Sequence, residues 1–595
     1  MSACSSARSM LRRRSIGLLV AAIAAASLVQ TCSAFLQPLA VASTRREVFV
    51  RGERPISPQH STALQISALH QQDGAQGEKK VVIVGGGFAG LGAAHHLAQQ
   101  GYQITLLDAS PNPGGVIQDS QGRSIEAGVK GFWYQYGNIF RLLRDLGIKT
   151  SGEQSALTDW STSSFFSDKG REVDSVVFQD KTMLPTPLGQ FVHTLPTFSR
   201  LSVTDRLSLW RLAYALLDYQ SEYEAYDSMS IADLMKRNGV SQALYRDFLE
   251  PLLLAMLFAP PESLSAAVII GTFEFLALGH QANFDVKWCR GPIGERILTP
   301  LVDAITRNGG TVLGSHAVQD VLVDETTGRV TSVVAQTPGG GVLKFEADAV
   351  VIAVGVRALQ ILTQKVPALS QHDQFRRVLN LRASDCIAVR LTLDRRFATR
   401  SPANVMVLPA NPGGRGVIRD VGATFFNLND LHDDLRDSGV PSVIEVDLYH
   451  AASILPMSDS EIQSLVLTAL RNAEPSLRAA KVSECIVMRA AQCATIFSPG
   501  SLRNRPVQRT PMPNLFLAGD FVREWPMHGA DGLSQERALV TGLMAANLVI
   551  DTLGKGRKAT ILEVEKDEAH IMLGKEVNKA LKSLPFPPPP FPLPF

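Results

Sequence analysis

A glycine-rich turn between two short apolar runs constrains this chain more than any other feature of its sequence. The run VVIVGGGFAGLGAAHHL, followed by ITLLDAS, predicts a buried strand, a turn, a helix and a second strand. Gly85 permits the tight turn, Gly87 lets backbone N–H groups approach a pyrophosphate, and Gly90 lets the helix pack closely on the strand. Phe88 and Ala89 complete the turn. We expect the phosphates of a dinucleotide to lie at the positive N-terminus of this helix.

The second apolar run ends in an acidic residue. Asp108 lies roughly 20 residues past the glycines, where a carboxylate binds a ribose hydroxyl. A carboxylate at that position favours an unphosphorylated adenosine ribose. A glycine-rich turn alone is a weak signal, because it also occurs in other α/β proteins. The two strands, the helix and the acid in register together predict a dinucleotide-binding unit.

The composition is that of a globular protein with large cores. The chain has 595 residues, which allows about two to four domains of ordinary size, and 45% of the residues are hydrophobic. A net charge of +2, without a dense basic cluster in the folded part, excludes nucleic acid as a partner. The six cysteines are scattered and show no metal-ligand spacing, so neither a metal site nor a disulfide framework is expected.

The first 79 residues have the pattern of a two-part targeting leader. An arginine-rich start, the apolar run IGLLVAAIAAASLV and the sequence TCSA predict a signal peptide over residues 1–34, with a membrane anchor as the alternative. Residues 35–79 lack periodicity and predict a disordered segment similar to a transit peptide. Ser33, Ala34 and Phe35 resemble the cleavage point in leaders of algae with complex plastids, which implies delivery to a plastid. Ordinary secretion is the alternative.

Strand and helix patterns return in separate pieces along the rest of the chain. Two apolar runs, ADAVVIAVG and NLFLAGDFV, predict buried strands followed by turns. The periodicity of GLSQERALVTGLMAANLVI predicts a helix. This order predicts an α/β protein with a Rossmann-like dinucleotide-binding domain assembled from the discontinuous segments 80–170, 288–365 and 505–553. An inserted α+β substrate domain is predicted over 171–287 and 366–504.

The most apolar stretch after the leader is FLEPLLLAMLFAPPESLSAAVIIGTFEFLALGH. Pro260 and Pro261 interrupt it, so neither half is long enough to span a membrane comfortably. The stretch predicts core packing, and a lining for an apolar substrate tunnel is compatible with the same pattern. Residues 580–595 form a proline-rich tail that is expected to be extended.

The strand NLFLAGDFV carries a resemblance to a known family. Gly519 and Asp520 resemble the second FAD-binding motif of flavin-dependent amine oxidases and carotenoid desaturases, which implies FAD as cofactor and an Asp520 contact with its ribitol. GFWYQYGNIFRLLRDLGI, WCRGPIGERILTPLVDAI and RPVQRTPMPNLFLAGDFV are similar to segments of phytoene and zeta-carotene desaturases, in the same order. The resemblance also implies that Val318 contacts adenine through its backbone, and that Gly114 and Gly115 lie near the pyrophosphate.

The chain departs from the family pattern at three places. Val116 replaces the arginine of a GGR loop, which removes one expected charge contact. Arg537 replaces the glycine of an EGA segment and places a bulky cation near the expected flavin. Amine oxidases carry an aromatic cage residue just before that segment, whereas this chain has Leu533, Ser534 and Gln535. The third departure counts against an amine substrate.

The resemblance implies an FAD-dependent oxidoreductase that desaturates a carotenoid-like or other apolar polyene by hydride transfer to the flavin. Such a substrate offers only carbon and hydrogen, so we assign no side chain as a catalytic acid or base. A quinone electron acceptor and a peripheral membrane contact are compatible with this reaction. The alternatives are an amine or porphyrinogen oxidase, an FAD-dependent carotene isomerase, and a flavin-binding scaffold without catalytic activity.

Overall fold

The strand that precedes the glycine-rich turn lies in the middle of a five-stranded parallel sheet. The computed structural model describes residues 79–113, 117–118, 124–125, 128–410, 416–437, 439–523 and 532–582. Neighbouring strands of the sheet are parallel, and their order is Leu515–Leu517, Ala349–Ile352, Lys80–Val84, Gln103–Leu107 and Thr311–Leu313. The run VVIV is apolar without alternation because both faces of its strand are buried.

Two different layers cover the faces of the parallel sheet. Val81 and Ile83 pack on one side, in a core shared with the helices Phe88–Gln99, Thr299–Arg307 and Gln535–Leu553. Val82 and Val84 pack on the other side. There the core is completed by an antiparallel three-stranded sheet and a helix, which span Ala317–Val323, Val330–Gln336, Val342–Glu346 and Val356–Lys365. This three-layer unit confirms the predicted α/β fold.

A mixed seven-stranded sheet forms the second large sheet. Its strands lie in the order Val482–Ile496, Arg382–Leu393, Val443–Tyr449, Val417–Asn427, Ala403–Pro409, Ser163–Ser167 and Gly170–Asp174. Only one pair of neighbours, Ser163–Ser167 with Ala403–Pro409, is parallel. Ile387 and Val446 pack against the helix Asp459–Ala473, so the residues that alternate with them lie on the opposite face.

A group of short helices lies between residues 188 and 273. They span Leu188–Thr194, Val203–Leu207, Ala213–Asp218, Tyr223–Asp227, Ile231–Arg237, Gln242–Leu244, Glu250–Leu257 and Ala266–Phe273. Leu253, Leu257 and Ile269 from this group are buried in one cluster with Ile496 and Phe497. The group therefore packs on the end of the longest strand of the seven-stranded sheet.

The remaining regular elements connect these parts. The helices span Gly137–Asp145, Pro367–Ser370, Asp373–Val378, Leu428–Leu431 and Ala569–Lys582. Two strand pairs join Ile117–Gln118 to Ser124–Ile125 and Gly131–Trp133 to Val286–Trp288. Among the helices within the described ranges, none combines the length and apolarity needed to cross a bilayer.

Several strands lie outside the parallel sheet although they belong to the segments predicted for the dinucleotide-binding domain. Ser163–Ser167 falls within the segment 80–170 but belongs to the seven-stranded sheet. The later strands Thr311–Leu313, Ala349–Ile352 and Leu515–Leu517 join the parallel sheet. The domain boundaries themselves stay a prediction.

Both predicted ends of the chain fall mainly outside the described residues. The predicted signal peptide, residues 1–34, lies wholly outside them, and of the segment 35–79 only Lys79 is described. The first three residues of the predicted tail, 580–582, belong to the helix Ala569–Lys582. The extended tail can therefore begin only after that helix, because the prolines start further on.

Candidate functional site

The two glycine motifs are far apart in the sequence but lie on the same edge of the parallel sheet. Gly85 follows the central strand Lys80–Val84, and Ala353 follows the neighbouring strand Ala349–Ile352. Gly519 comes after the edge strand Leu515–Leu517. A Cβ built at Gly85 would lie 2.4 Å from Ala353 O, and one built at Gly519 would lie 3.8 Å from Val354 O. Both turns therefore flank the same backbone segment at the carboxyl edge, where open parallel sheets bind their ligands.

Close backbone packing explains two glycines of the first turn. Gly85 has φ +107°, and a Cβ at Gly90 would lie 1.8 Å from Gly85 O. At Gly87 a Cβ would meet none of the described residues within 4 Å, so among these residues space is open in front of the helix that begins at Phe88. Phe88 is half-buried and Ala89 is buried in the first turn of that helix. The turn thus combines a packed side with an open side.

Asp108 lies beside the open side of this turn. Its Oδ2 accepts from the Gly86 N–H at 2.5 Å, and its Oδ1 accepts from the Ser110 N–H at 2.7 Å. Each carboxylate oxygen can accept a further hydrogen bond, so a ribose hydroxyl can still bind. The His316 N–H donates to Asp108 O at 2.7 Å, which places the start of the strand containing Val318 next to Asp108.

The described residues of the predicted site form one line along the sheet edge. In spatial order they are Val318, Asp108, the turn 85–90, Gly519 and Asp520. Outside the described residues lie Gly114, Gly115 and Val116. Open parallel sheets bind their ligands outside this carboxyl edge.

A tight turn presents Asp520 at the end of the outermost strand. Gly519 has φ +140°, a conformation that favours glycine, and its N–H donates to Thr541 Oγ1 at 3.0 Å. Asp520 Oδ1 accepts from Thr495 Oγ1 at 3.4 Å. Burial raises the pKa of Asp520, and the nearby Arg537 opposes that rise. The turn is therefore held by a helix of the parallel-sheet unit and by a strand of the seven-stranded sheet.

Arg537, the cation that replaces a family glycine, stabilises the turn that contains Asp520. Its side chain is only 1% exposed; Nε donates to Asp520 O at 2.8 Å and Nη2 to Val522 O at 2.7 Å. Arg505 Nε donates to the intervening Phe521 O at 2.9 Å. Two guanidinium groups thus bind three consecutive carbonyls. The bulky cation contributes to the shape of the Asp520 turn.

Glu536, the residue before Arg537, caps a helix. Its Oε1 accepts from the Asn138 N–H and from Asn138 Nδ2, both at 2.8 Å, and its Oε2 accepts from the Ile139 N–H at 2.9 Å. These N–H groups belong to the first turn of Gly137–Asp145, which has no intrahelical partner for them. Burial raises the pKa of Glu536, and the hydrogen bonds from Asn138 and Ile139 oppose the rise. Glu536 therefore fixes the start of this helix.

A polar cluster on the seven-stranded sheet was not foreseen from the sequence. Asp447 Oδ2 accepts from the Val129 N–H at 3.0 Å, next to Lys130. Arg390 Nη2 and Glu445 Oε2 form an ion pair at 2.5 Å, and Glu445 is fully buried. The signal for this cluster was present in VIEVDLY, where two acids interrupt an otherwise apolar strand. This sheet face therefore carries charge close to the chain segment 128–130.

The apolar stretch predicted as core or tunnel lining lies in the helical cluster. Leu257 is 2% exposed and Val268 is fully buried there. A Cβ built at Gly532 would lie 3.4 Å from Val268 Cγ1 and 3.1 Å from Thr272 Oγ1, so the stretch packs against the chain just before Gln535–Leu553. Core packing thus accounts for these residues, and the tunnel stays a prediction.

Comparisons with known proteins agree with this architecture. The sequence model of the family described as flavin containing amine oxidoreductase matches residues 88–550. The chain is 26% identical over 495 residues to a probable zeta-carotene desaturase of Synechococcus elongatus, covering 79% of this chain and 98% of the relative. It is 29% identical over 499 residues to a carotenoid phi-ring synthase of Streptomyces griseus, covering 80% and 88%.

Solved structures show the same fold at low sequence identity. A putrescine oxidase bound to putrescine has a TM-score of 0.56 and 16% identity, over 80% of this chain and 99% of that chain. The cyclohexylamine oxidase of Brevibacterium oxydans gives 0.55 and 16%, over 80% and 100%. The family match begins within the glycine turn, at Phe88, and includes Asp108 and the Asp520 turn. The chain belongs to the flavin-containing amine oxidoreductase family and is an FAD-dependent oxidoreductase.

Proposed function

We propose that this oxidoreductase desaturates a carotenoid-like polyene. The observation that carries the proposal is the set of relatives matched over about four-fifths of the chain, which are named as zeta-carotene and phytoene desaturases. The cage position supports a substrate that is not an amine, because Ser534 carries no aromatic ring and instead caps the helix Gln535–Leu553. A hydrocarbon substrate needs no such cage.

The residues along the sheet edge fit an FAD molecule in extended form. Gly87 and the N-terminus of the helix that follows it would hold the pyrophosphate, because a Cβ at Gly87 would meet none of the described residues. Asp108 would bind the adenosine ribose, and the Val318 backbone would contact adenine. Asp520 would accept a hydrogen bond from the ribitol. Further contacts to the pyrophosphate are proposed for Gly114 and Gly115.

Bound FAD supplies the hydride acceptor for the reaction. The chain itself binds the substrate, orients it and excludes water. Removing hydrocarbon surface from water contributes about 25 cal/mol per Å², so a long polyene can bind without polar anchors. We therefore give no side chain the role of acid or base.

Anaerobic titration of the FAD-loaded protein tests the proposed substrate. Carotenes in liposomes should bleach the absorbance of the oxidised flavin, and a quinone should then restore it. Primary amines and polyamines should leave the spectrum unchanged. Reduction by an amine, with none by any polyene, would assign the protein to the amine oxidases. Conversion of a polyene only between geometric isomers, with the flavin reduced beforehand, would assign it to the isomerases.

We also propose a peripheral membrane contact, through which a quinone could reach the flavin. Large apolar side chains are unusually exposed within one stretch of helices and loops; they are Met183, Val192, Leu195, Val203, Leu207 and Trp210. The double variant Val203→Asp, Leu207→Asp should lose sedimentation with liposomes. Val342→Asp is the matched control, since Val342 is 62% exposed on the distant three-stranded sheet. Equal sedimentation of all three proteins would refute the contact at this stretch.

We propose plastid localisation from the two-part leader predicted over residues 1–79. Several relatives are named as chloroplastic or chromoplastic proteins, which supports this location. Residues 1–79 fused to a fluorescent reporter should direct it to the plastid of an alga with complex plastids. Secretion or cytosolic retention of the reporter would contradict the proposal.

A further inference from the structure

Two cysteines lie close together on neighbouring strands of the seven-stranded sheet. Cys386 lies on Arg382–Leu393 and Cys493 on Val482–Ile496, and the pairing of these strands places the two cysteines within a few residues of each other across the ladder. The Cys493 thiol lies 3.7 Å from Ser384 O, which it can reach as a donor. Both cysteines are reduced, and each thiol shifts the pKa of the other, as expected for neighbouring thiols.

An irregularity in strand pairing brings the two sulfurs together. Ser384 pairs with Ala494, but Cys386 pairs with Ala490, so extra residues of the longer strand bulge out between these pairs. Gln492 lies in the bulge with φ +50°, and its N–H donates to Asp385 Oδ1 at 2.9 Å. A bulge re-aims the side chains next to it, so Cys493 can face Cys386 although the two residues are not paired in the ladder.

The surroundings give the two thiols different reactivities. Cys493 is exposed, and the hydrogen bond from Cys386 together with the Lys130 ammonium lowers its pKa, against burial and Asp385, which raise it. Cys386 is buried, and its pKa is raised by the hydrogen bond to Cys493, by burial and by Asp447. Thiolates are the nucleophiles in disulfide exchange, so Cys493 is the thiol that reacts first.

We infer that Cys386 and Cys493 form a redox-active dithiol that oxidises reversibly to a disulfide by exchange with a small organic disulfide. The Cys493 thiolate attacks RSSR, which forms a mixed disulfide and releases one RSH. Cys386 then attacks the Cys493 sulfur, which forms the intramolecular disulfide and releases the second RSH. The protein loses two electrons and two protons, and RSSR gains both pairs.

The dithiol lies beside the proposed flavin site, and its link to that site rests on the proposed function. Thr495, two residues after Cys493, donates to Asp520 Oδ1. A disulfide would tie the strand that carries Thr495 to its neighbour. Because Thr495 contacts the proposed ribitol ligand, oxidation of the dithiol should slow the release of FAD.

The experiment treats the FAD-loaded full chain with glutathione disulfide and maps the cysteines by alkylation and peptide mass spectrometry. In the wild type, Cys386 and Cys493 should both lose alkylation and appear as one cross-linked peptide, and dithiothreitol should reverse this. Cys386→Ser should accumulate a glutathionyl group on Cys493, because the second attack is lost. Cys493→Ser should give neither product.

Cys485 provides the matched control on the same strand. It pairs with Leu391, and burial raises its pKa to about 11. Cys485→Ser should therefore behave as the wild type. Continued alkylation of Cys386 and Cys493 after oxidation, or equal glutathionylation of Cys386 and Cys493 in the two single variants, would overturn the dithiol. Equal FAD release before and after cross-linking would overturn its link to the flavin site.

Discussion

At the scale of single residues, the tolerance of a glycine in the nucleotide turn depends on what lies next to its Cα. Gly90 and Gly87 are three residues apart in one turn. A Cβ at Gly90 would meet Gly85 O at 1.8 Å, whereas a Cβ at Gly87 would meet no described residue within 4 Å. The first glycine is needed for folding, whereas the second is needed only when a ligand approaches.

This contrast predicts opposite behaviour for two alanine variants. Gly90→Ala should reduce the free energy of unfolding by about 1–3 kcal/mol, because backbone must move to admit the methyl group. Gly87→Ala should leave the unfolding free energy of the FAD-free protein nearly unchanged but weaken FAD binding. Denaturant titration and FAD fluorescence titration measure the two effects. Equal stability of both FAD-free variants would contradict the packing explanation.

Asp520 is the residue for which a specific loss of FAD affinity is expected. Asp520→Ala should weaken FAD binding by about 0.5–3 kcal/mol through the loss of one hydrogen bond to the ribitol. Thr495→Val is the control, because it removes only the 3.4 Å contact to Asp520 Oδ1. FAD titration of the apoproteins gives both affinities. A larger loss for Thr495→Val than for Asp520→Ala would argue against direct contact of Asp520 with FAD.

At the scale of elements, the start of a helix is fixed by a residue from a distant helix. Glu536 lies at the beginning of Gln535–Leu553 and accepts from the first N–H groups of Gly137–Asp145. This contact joins residues of two helices that are 398 positions apart in the chain. The Glu536 carboxylate therefore has a structural role.

Removal of this cap should destabilise the protein. Glu536→Ala would leave the buried Asn138 and Ile139 N–H groups without their acceptor, at a cost of about 1–3 kcal/mol in unfolding free energy. Glu461→Ala removes an exposed cap of the helix Asp459–Ala473 and should cost less, because water can replace the carboxylate there. Denaturant unfolding compares the two variants, and a smaller loss for Glu536→Ala would be inconsistent with the buried cap.

At the scale of the whole molecule, a buried histidine determines part of how the free energy of unfolding changes at acidic pH. Burial lowers the pKa of His432 from 6.5 to about 4. The unfolded chain therefore binds a proton at a pH where the folded chain does not. The stability contributed by neutral His432 is complete above pH 6.5 and is lost as the pH falls towards 4.

Between pH 7 and pH 5, this group should reduce the free energy of unfolding by about 2 kcal/mol. His432→Gln should remove that part of the pH dependence. Denaturant unfolding at the two pH values provides the comparison. An unchanged slope in His432→Gln would show that other groups control the acid response.

The sequence by itself determined the parts of this protein that depend on neighbouring residues. The turn GGGFAG needs its glycines for local backbone geometry, Asp108 ends the next strand, and Gly519 comes directly after a buried strand. Each signal is contained within a few residues of one element. The α/β fold, the position of the first turn at the sheet edge and the family could therefore be predicted.

Only the tertiary structure decided which distant residues meet. The sequence predicts that Arg537 places a bulky cation near the flavin. In the fold, its guanidinium instead donates to carbonyls of the Asp520 turn. Thr495 and Cys386 carry no local signal. The tertiary fold brings Thr495 to Asp520 in a turn of the other sheet, and the register of two long strands brings Cys386 close to Cys493. Strand register depends on the packing of whole sheets, because a shift of one residue would turn every side chain to the other face.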